Sequence, residues 1–569
     1  MLRILIMIKS LYNKNDKRYI FFTGDELASS KKQTNLEDYL NKIPQYMFLP
    51  SFRGVPKPEV FLHKFKNQQG KIIYYCYSGL WKTVADWCKK NNIVFEAPDK
   101  EFYRTDFKLT LEEFIKYVEG WDLNLNPYDY QYKAAWLILA YRQSLSQLAT
   151  RAGKTLIAYM VFRYMLENGA HNILMVVPNT SLVKQAVKDM QEYKEFFKSE
   201  TVWAGGELCE GSNLTVGTFQ SLVKRADKRS TKYDPKFFDK YDIVLVDEAH
   251  TLKCESINKI LNQNFMKNVK LQFGFSGSLP EEHTIDSFCC HSLMGPTIQD
   301  IRSNELVEQG FLAEPHITQI RIKYDWDEKL IKDYIECGEY LNSNTVKEDG
   351  KNVSLDKEDQ LFTMKEKKKL PMVLQQMKQL YDEHEYIEYL VDLCKAKGSN
   401  LLLLEQMLVH RSQKRLDIMK ELLHEIDKNC IVFGHHQEYL RYLKEEFEKE
   451  FPDRPVYIIQ GNTSIKKRDK IIENMLTDKN AILVASYGCC STGLTFKNVD
   501  YGIFAQSFKS HIINKQSIGR LMLKNSEKDK FELYDLVDCF PTKKLEMQGN
   551  AKVKLYKQEK IDFDVECNA

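Results

Sequence analysis

Two stretches of the chain alternate short apolar runs with longer helical patterns. In the first stretch, residues 155–168 and 182–193 have the apolar spacing of helices, and the strand patterns are NILMVVP, LTVGTFQ, IVLVDEAH and LQFGFSGS. After Lys428, helical patterns at 437–451, 464–477 and 512–523 separate the strand patterns CIVFGHH, VYIIQG, AILVAS, YGIFAQ and FELYDLVD. Strand–helix–strand order of this kind predicts two tandem α/β domains, each with a parallel sheet covered by helices.

Two other regions break this rhythm. Residues 1–120 combine short aromatic strand patterns such as GKIIYYCYSGL with the helical pattern SGLWKTVADWCKKNN, which predicts a small α+β domain. Residues 321–427 are charged and helical, with a loop near 342–350, and are typical of a linker insertion. The two α/β domains then span 121–320 and 428–569, and the second includes a C-terminal extension.

Composition narrows the classes of protein that fit. No apolar run approaches the roughly 20 residues that cross a bilayer, so we expect neither an integral membrane protein nor a membrane partner. The 13 cysteines form no C-x-x-C pair, which predicts reduced thiols in a cytoplasmic protein without a structural metal. Because the net charge is only +3, a nucleic-acid binder would have to gather its Lys and Arg on one face.

The segment LATRAGKT, residues 148–155, follows one predicted strand and opens a helix. Backbone N–H groups in such a loop point at phosphate oxygens, and the helix N-terminus favours negative charge. Lys154 would meet the β and γ phosphates of ATP, and the Thr155 hydroxyl would ligate Mg²⁺. Leu148 stands where the usual G-x-x-x-x-G-K-T has its first glycine. The nucleotide contacts expected from the loop are Thr150, Arg151, Ala152, Gly153 and Lys154.

A second signal lies about 90 residues further on, where VLVDEAH places carboxylates at the end of an apolar strand. The carboxyl ends of parallel strands are where α/β sheets bind their ligands. Asp247 is predicted to hold Mg²⁺, and Glu248 to act as general base on the attacking water. His250 is predicted to couple the ATP site to the next strand. The alternative from these residues alone is a solvated acidic turn.

With these two motifs in order, the chain resembles the superfamily 2 helicases. FSGS at 275–278 is similar to motif III, IVFGHH to motif IV and ASYGCCSTGL to motif V. The resemblance implies a fold of two tandem RecA-like domains that clamp one ATP, with Gly493 of motif V at the nucleotide. In PYDYQ, Gln131 would recognise adenine beside an aromatic ring, although a core-facing Tyr and an exposed Gln would look the same.

Motif VI, QSIGR, is expected to bring positive charge from the second domain to the γ-phosphate. The family pattern is Q-x-x-G-R-x-x-R, so Gln516 and Arg520 match, but Leu523 stands at the last position and Lys524 follows it. Lys cannot make the forked contact of Arg, so Arg520 is the predicted arginine finger and Lys524 a helper.

Nucleic-acid contacts in such motors come mainly from loops after the strands and fall on phosphates. The contacts expected here are Pro178, Asn179, Thr180, Gly217, Thr218, Gln220, Gly461, Thr463 and Thr492. A hydroxyl or amide in a loop is also commonly just solvated.

A finer resemblance, over about 125–540, is to the UvsW-type phage helicases. It extends to the N-terminus through FLPSFRGVPKPEVFLHKF and SGLWKTVADWCKKNNI, where these relatives have a small DNA-binding domain. It implies a monomeric motor with 3′ to 5′ polarity, acting on single-stranded, forked or branched DNA in recombination, replication or repair in an infected cell. Basic residues among the N-terminal aromatics suit DNA and equally suit a soluble surface. These are Arg53, Lys57, Lys64, Lys66, Lys71 and Lys82.

Three alternatives remain open from the residues. An RNA helicase or remodelling ATPase would use the same engine, since ATP chemistry does not depend on the sugar of the track. A translocating subunit of a restriction enzyme would need a nuclease or methylase partner. A non-hydrolysing nucleic-acid-binding protein on a helicase scaffold would have lost Lys154, Asp247, Glu248 or Arg520, and all four are present.

Overall fold

The structure is a computed structural model that divides into two compact units, Met1–Arg302 and Ser303–Ala569. In the first unit it describes residues 7–13, 16–23, 36–41, 60–203, 206, 209–253, 255–261 and 264–302. In the second unit it describes residues 303–324, 345–348, 351–354, 412–461, 463–488, 498–506, 510–524, 528–539 and 544–568.

The N-terminal region of the first unit is a five-stranded mixed sheet with strand order β3-β4-β2-β1-β5. Its strands are β1 (Met7–Asn13), β2 (Asp16–Thr23), β3 (His63–Lys66), β4 (Ile72–Tyr77) and β5 (Val94–Glu96). Its helices are α1 (Leu36–Asn41), α2 (Trp81–Lys90) and α3 (Lys100–Tyr103), with a 3-10 turn at Ser78–Leu80. Alternate side chains of β2 and β4, including Phe22 and Cys76, are buried in one core with Val84 and Trp87 of α2. The period of two gives this sheet one buried face.

The remainder of the first unit is a seven-stranded sheet with order β12-β6-β11-β10-β7-β9-β8, in which every recorded pairing is parallel. Its strands are β6 (Gln143–Leu148), β7 (Ile173–Val177), β8 (Ser199–Val202), β9 (Leu214–Thr218), β10 (Ile243–Val246), β11 (Leu271–Ser276) and β12 (Thr297–Ile301). Strands β7, β9, β10 and β11 are buried along their whole length, because helices cover both faces of a parallel sheet.

Most helices of this region connect one strand of the parallel sheet to the next, and the first two precede β6 in the chain. They are α4 (Leu111–Glu119), α5 (Asp129–Ala140), α6 (Lys154–Glu167), α7 (Thr180–Tyr193), α8 (Phe219–Ala226), α9 (Glu255–Leu261) and α10 (Ile285–Met294). Further 3-10 turns lie at Pro235–Phe238, Ala249–Lys253 and Asn264–Lys267. Helix α7 begins two residues before the predicted Leu182, because the Asn179 side chain caps it by accepting a hydrogen bond from the Leu182 N–H.

The second unit has its own seven-stranded parallel sheet, with order β17-β18-β16-β19-β20-β13-β21. Its strands are β13 (Glu314–Lys323), β16 (Cys430–Gly434), β17 (Val456–Ile459), β18 (Ile482–Ser486), β19 (Tyr501–Phe504), β20 (Lys530–Cys539) and β21 (Asp562–Asn568). A hairpin of β14 (Thr345–Glu348) and β15 (Lys351–Ser354) precedes β16 in the chain. The helices are α11 (Ser303–Glu308), α12 (Gln413–Glu425), α13 (Gln437–Glu450), α14 (Ile465–Thr477), α15 (His511–Leu521) and α16 (Lys544–Gln558).

Strand β13 pairs along its whole length with β20 of the second sheet. The domain boundary expected at 320/321 therefore falls inside a strand of the second sheet, because that boundary followed the change to charged sequence after the strand. Most of the expected linker insertion at 321–427 lies outside the described residues.

The predicted fold class is confirmed: two α/β domains with parallel sheets and a small mixed sheet at the N-terminus. Within the described residues, no helix combines the length and apolar character needed to cross a bilayer.

Candidate active site and nucleic-acid contacts

The predicted phosphate loop joins strand β6 to helix α6. Gly153 caps the helix in the left-handed conformation, with φ +75°, and a Cβ atom there would lie 2.1 Å from the Gln131 Nε2 atom. Only glycine fits this position, for both reasons. Arg151 also has a positive φ, +73°, which is uncommon for a residue with a side chain and concentrates at functional sites. The backbone is thus bent sharply just ahead of Lys154, the first residue of α6.

The Gln131 side chain is hydrogen-bonded to the backbone of the phosphate loop. Its side chain is 4% exposed, its Nε2 donates to the Ala152 carbonyl at 3.1 Å, and its Oε1 accepts from the Tyr128 N–H at 2.9 Å. The Tyr130 hydroxyl donates to the same Ala152 carbonyl at 3.2 Å, a contact that sequence reasoning missed. Tyr128 is 49% exposed and stacks on Tyr130 with 5.8 Å between ring centroids. Adenine recognition by Gln131 stays a prediction, and Tyr128 is the exposed ring beside it.

The two carboxylates follow strand β10, next to the loop. The Lys154 Nζ lies 4.0 Å from the Glu248 Oε1, and the Glu248 N–H donates to the Asp247 Oδ1 at 3.0 Å. Burial, and then the charge of Glu248, raise the pKa of Asp247 to about 6, while Lys154 acts in the opposite direction. Glu248 has a φ of +54°, a second strained backbone position. The structure thus brings Lys154, Asp247 and Glu248 together at one edge of the sheet.

His250 connects this cluster to strand β11. Its Nδ1 lies 3.3 Å from the Glu248 Oε2 and 3.0 Å from the Ser276 Oγ. The Ser276 hydroxyl in turn donates to the Ser278 carbonyl at 2.8 Å. Each contact is within hydrogen-bonding distance, so a continuous polar path runs from the carboxylate to the segment FSGS.

Sequence reasoning missed two neighbours of the phosphate loop. A Cβ atom at Gly277 would lie 3.5 Å from the Thr150 Oγ1 and 3.6 Å from the Lys154 Nζ, so this glycine passes directly beside the loop. Tyr193, at the end of α7, hydrogen-bonds Thr155, which lowers its pKa against the larger rise caused by burial. The glycine of FSGS was a visible signal, whereas nothing in the sequence around Tyr193 pointed to Thr155.

The residues at this edge fit a magnesium ion. Mg²⁺ is commonly held by one or two carboxylates together with phosphate oxygens, rather than by a cage of protein ligands. Asp247 is buried beside a second carboxylate, so added positive charge would stabilise its ionised form.

The predicted nucleic-acid residues of the first unit lie after strands β7 and β9. The Gln220 Nε2 donates to the Pro178 carbonyl at 3.1 Å, which brings the two predicted segments together. Thr180 is the first residue of α7 and is half-buried. Thr218 is 4% exposed, and a Cβ atom at Gly217 would meet the Leu222 side chain at 3.0 Å. Of the predicted residues in these two segments, Thr180 and Gln220 are therefore the accessible ones.

In the second unit, Gly461 and Thr463 follow strand β17. Gly461 is exposed, whereas the Thr463 Oγ1 accepts from the Gln460 N–H at 2.9 Å and so closes the turn. Thr492 and Gly493 of the predicted motif V lie outside the described residues. Each of these positions remains a prediction.

Gln516 and Arg520 both lie on helix α15, as motif VI requires. Gln516 is 7% exposed, and Arg520 is half-buried in the last turn of the helix. The Lys524 Nζ forms an ion pair with the Asp529 Oδ1 at 3.0 Å. Arg520 stays the predicted finger, because a guanidinium can make the forked contact with phosphate that an ammonium cannot.

Comparisons with known proteins match the two regions of the chain that carry these motifs. The family model described as "Type III restriction enzyme, res subunit" matches residues 123–281, and "Helicase conserved C-terminal domain" matches residues 413–522. The chain is 26% identical over 515 residues to the ATP-dependent DNA helicase uvsW of Enterobacteria phage T4, covering 87% of this chain and 84% of that protein.

Two solved structures are similar to the chain. One is the crystal structure of T4 UvsW, at 21% identity, 99% coverage of each chain and a TM-score of 0.41. The other is the ATP-dependent Type ISP restriction-modification enzyme LlaBIII bound to DNA, at 12% identity and a TM-score of 0.51, covering 78% of this chain and 31% of that one. At that identity the LlaBIII likeness concerns the fold alone.

The order of the motifs, the two matched models and the long relationship to a phage helicase agree with the predicted family. This chain carries the two domains that these models describe and is an ATP-hydrolysing enzyme similar to the superfamily 2 helicases.

Proposed function

We propose that this chain is an ATP-dependent DNA helicase that moves along DNA and unwinds or remodels branched DNA. The observation that carries the proposal is the polar path from Lys154 through Glu248 and His250 to Ser276, at the carboxyl ends of β6, β10 and β11. DNA as the track is supported by the likeness to the phage T4 DNA helicase.

In the proposed reaction the phosphates of ATP lie on the loop of Thr150, Arg151, Ala152 and Gly153. The N-terminus of α6 and the Lys154 ammonium stabilise the negative charge of the phosphates. Thr155 and Asp247 would hold Mg²⁺, which neutralises phosphate charge when bound. Glu248 takes a proton from the attacking water, since its carboxylate borders the lysine that marks the phosphate end of the site.

Arg520 is proposed to stabilise the charge that develops on the transferred phosphoryl group, as arginine fingers do. Its planar guanidinium suits two phosphate oxygens at once, which an ammonium cannot match. Gln516, one helical turn before it, is proposed to position the same helix end at the nucleotide.

The path through His250 is proposed to transmit the state of the nucleotide to the DNA. Loss of the γ-phosphate would change the surroundings of Glu248, and His250 would pass that change to Ser276 and the segment after β11. Thr180 and Gln220, with Gly461, Thr463 and Thr492, are proposed to contact DNA phosphates. We propose 3′ to 5′ movement and a role in recombination, replication or repair in phage-infected cells.

The test is ATP turnover by the full chain with single-stranded DNA, duplex DNA, forks, four-way junctions and RNA hairpins of matched length. Strand separation is measured in parallel on duplexes with a 3′ or a 5′ overhang. We expect turnover to rise most with forked or branched DNA, and separation to require the 3′ overhang. Stimulation by RNA alone would replace the DNA proposal with the RNA-helicase alternative, and turnover without any strand separation would favour a pure translocase.

A further inference from the structure

Helix α15 carries Arg520 at its end, where the backbone depends on contacts from outside the helix. The helix runs His511–Leu521, so Arg520 is its last residue but one. The last carbonyls of a helix have no partner within it, and helix ends fray. A guanidinium at such an end therefore has a defined position only when other groups bind those carbonyls.

Lys528 provides one of these groups. It lies beyond the helix, before strand β20, and is 3% exposed. Its ammonium donates to the carbonyl of Leu521, the last helical residue, at 2.5 Å, and also to the carbonyl of Val499. The ammonium lies near the Phe531 ring, with 5.4 Å between the Nζ atom and the ring centroid. A lysine near a helix C-terminus satisfies its carbonyls and complements its partial negative charge.

The segment of Val499 is itself held against the second sheet. Val499 is 1% exposed and lies between the predicted motif V and strand β19. The buried Asn429 side chain donates from Nδ2 to the carbonyl of the preceding residue, Asn498, at 2.8 Å. Its Oδ1 accepts from the Ala481 N–H, directly before β18, at 2.7 Å. Lys528 therefore ties the end of α15 to a segment that buried side-chain bonds hold in place.

A backbone contact holds the residue after the helix. The Ala313 N–H, just before β13, donates to the Met522 carbonyl at 2.8 Å. Leu312 and Leu523 form an isolated antiparallel bridge beside this bond. Lys528 acts through its side chain, so its contribution can be removed by substitution while the backbone donor to Met522 remains.

The position of this helix end matters to catalysis because an arginine finger acts only at close range. Arginine fingers contribute about 10³- to 10⁵-fold to turnover in phosphoryl transfer. Misplacement of a catalytic group by about 1 Å can lower the rate by about 10²-fold. Burying an ammonium ion costs free energy even when it is hydrogen-bonded. Control over Arg520 gives the buried charge of Lys528 a function that an uncharged side chain of similar length cannot supply.

We propose that Lys528 is a positioning residue for the arginine finger. It holds the end of α15 against the sheet, so that the Arg520 guanidinium meets the γ-phosphate of ATP. Lys528 acts through Arg520 and not by contact with the nucleotide. This inference rests on the proposed function only in taking Arg520 as the finger. Loss of the ammonium then slows the chemical step without weakening nucleotide binding.

The central test replaces Lys528 by methionine in the full chain, which removes the ammonium and keeps an unbranched side chain. The matched control is Lys530→Met, at a side chain that is 71% exposed and paired with Glu314. Both substitutions are also made in the Arg520→Ala background. Steady-state ATP turnover, with and without single-stranded DNA, gives kcat and KM. A fluorescent ATP analogue gives nucleotide affinity, and thermal unfolding shows whether each variant is folded.

We expect Lys528→Met to lower kcat by about 10- to 100-fold, while KM and nucleotide affinity stay within about twofold of the parent. Lys530→Met should turn over ATP like the parent. In the Arg520→Ala background, Lys528→Met should cause no further loss, because the finger that it positions is absent. A folded Lys528→Met with the kcat of the parent overturns the proposal. A loss of the same size in both backgrounds also overturns it, since a purely structural role would produce that result.

Two further measurements cover the case in which Lys528→Met does not fold. Lys528→Gln keeps an N–H donor without the charge and should lower kcat only when Arg520 is present. An unchanged kcat, or an equal loss in the Arg520→Ala background, overturns the proposal. In the parent, amides in the last turn of α15 should exchange their hydrogens as slowly as those in its middle. Rapid exchange confined to that turn overturns the proposal, because a helix end that opens cannot hold a guanidinium in place.

The outcomes separate this inference from the proposed function. If Arg520→Ala loses turnover and folded Lys528→Met does not, the positioning role fails and the proposed finger stands. If Arg520→Ala turns over ATP like the parent, the proposed finger fails, and the role of Lys528 fails with it. Neither result depends on strand separation, so a failure of the DNA helicase proposal is recognised separately.

Discussion

The two parallel sheets have similar architecture, but the buried charges beside them differ in how completely they are paired. At the edge of the first sheet, the Lys154 Nζ is 4.0 Å from Glu248, and the pKa of buried Asp247 is raised to about 6. In the second sheet, the Arg415 Nη1 lies 2.5 Å from the Asp538 Oδ1, and the Tyr324 hydroxyl donates to the same oxygen at 2.8 Å. The negative charge of Asp247 and Glu248 beside the first sheet is therefore only partly balanced, whereas Asp538 beside the second sheet is balanced by Arg415.

A second pair in the later sheet repeats this pattern. Lys552 of α16 forms an ion pair with Asp535 of β20, and both side chains are almost completely buried. The Tyr556 hydroxyl and the Gln319 Nε2 also donate to Asp535, at 2.9 and 3.0 Å. Buried charges that are fully paired hold elements together, whereas a buried carboxylate without full compensation favours binding of an external cation. On the same kind of fold, the fully paired charges therefore suit a structural role, and the incompletely compensated carboxylate suits a chemical one.

The largest effect should come from Glu248→Gln, which keeps the shape of the side chain and removes its basicity. We expect ATP turnover to fall by about 10²- to 10⁴-fold while nucleotide binding persists, because loss of a general base affects the chemical step. Steady-state turnover and binding of a fluorescent ATP analogue measure the two separately. Glu314→Gln, at an exposed carboxylate paired with Lys530, is the control and should leave turnover unchanged. Hydrolysis by Glu248→Gln at the parent rate would remove Glu248 from the mechanism.

In the second sheet, Arg415→Met should destabilise the fold by about 3–5 kcal/mol, because Asp538 is left buried without its cation. Urea unfolding measures the change. The matched control is Lys444→Met, which breaks an exposed pair with Glu448 on one face of α13 and should cost about 0.3–0.5 kcal/mol. Equal effects of the two substitutions would contradict the structural role assigned to Arg415.

The sequence predicted the site beside the first sheet, but it did not predict the buried ion pairs beside the second. LATRAGKT and VLVDEAH predict the first site because the groups expected to be catalytic follow the strands in short, dense motifs. Arg415 and Asp538 are 123 residues apart and carry no local pattern, so their pairing emerges only from the fold. The positive φ of Arg151 and of Glu248 was equally invisible, since non-glycine residues give no signal of a left-handed backbone.

The domain order and most strands were predictable because fully buried strands read as continuous apolar runs. The boundary at 320/321 was not, because β13 lies far from its partner β20 in sequence and pairs with it only in the folded chain. In the N-terminal sheet, strand pairing likewise places Tyr19 opposite Tyr77 and Phe21 opposite Tyr75, which spacing along the chain does not predict.

A variant that interrupts the polar path is expected to have a smaller defect, which affects strand separation more than ATP turnover. His250→Ala removes the contact that joins Glu248 to Ser276, while leaving Lys154 and Glu248 in place. We expect strand separation per ATP hydrolysed to fall by about 2- to 30-fold, with a lesser change in turnover. Ser276→Ala should have the same effect, and the double variant should be no worse than either single one. Additive losses would mean that the two residues act independently.

The smallest effect concerns pH. The folded pKa of Asp247, about 6, lies above the value of 3.8 for an exposed Asp, so its protonation stabilises the fold fully below about 3.8 and this contribution is lost as pH rises through 6. Magnesium needs the ionised form, so Mg²⁺-dependent nucleotide binding should weaken below pH 6, by up to about tenfold per unit. Titration of a fluorescent nucleotide measures it. Because the Glu248 charge contributes to the raised pKa, the midpoint should move lower in Glu248→Gln, and an unmoved midpoint would contradict this coupling.

The most direct test of the central contrast compares two lysines on helices, one beside each sheet. Lys154→Ala and Lys552→Met are measured side by side for thermal unfolding and for DNA-stimulated ATP turnover per folded molecule. The account predicts that Lys154→Ala keeps the parent unfolding temperature and loses about 10²- to 10³-fold in turnover, while Lys552→Met unfolds at lower temperature and keeps turnover. Full turnover in Lys154→Ala, with loss of turnover in folded Lys552→Met, would contradict it.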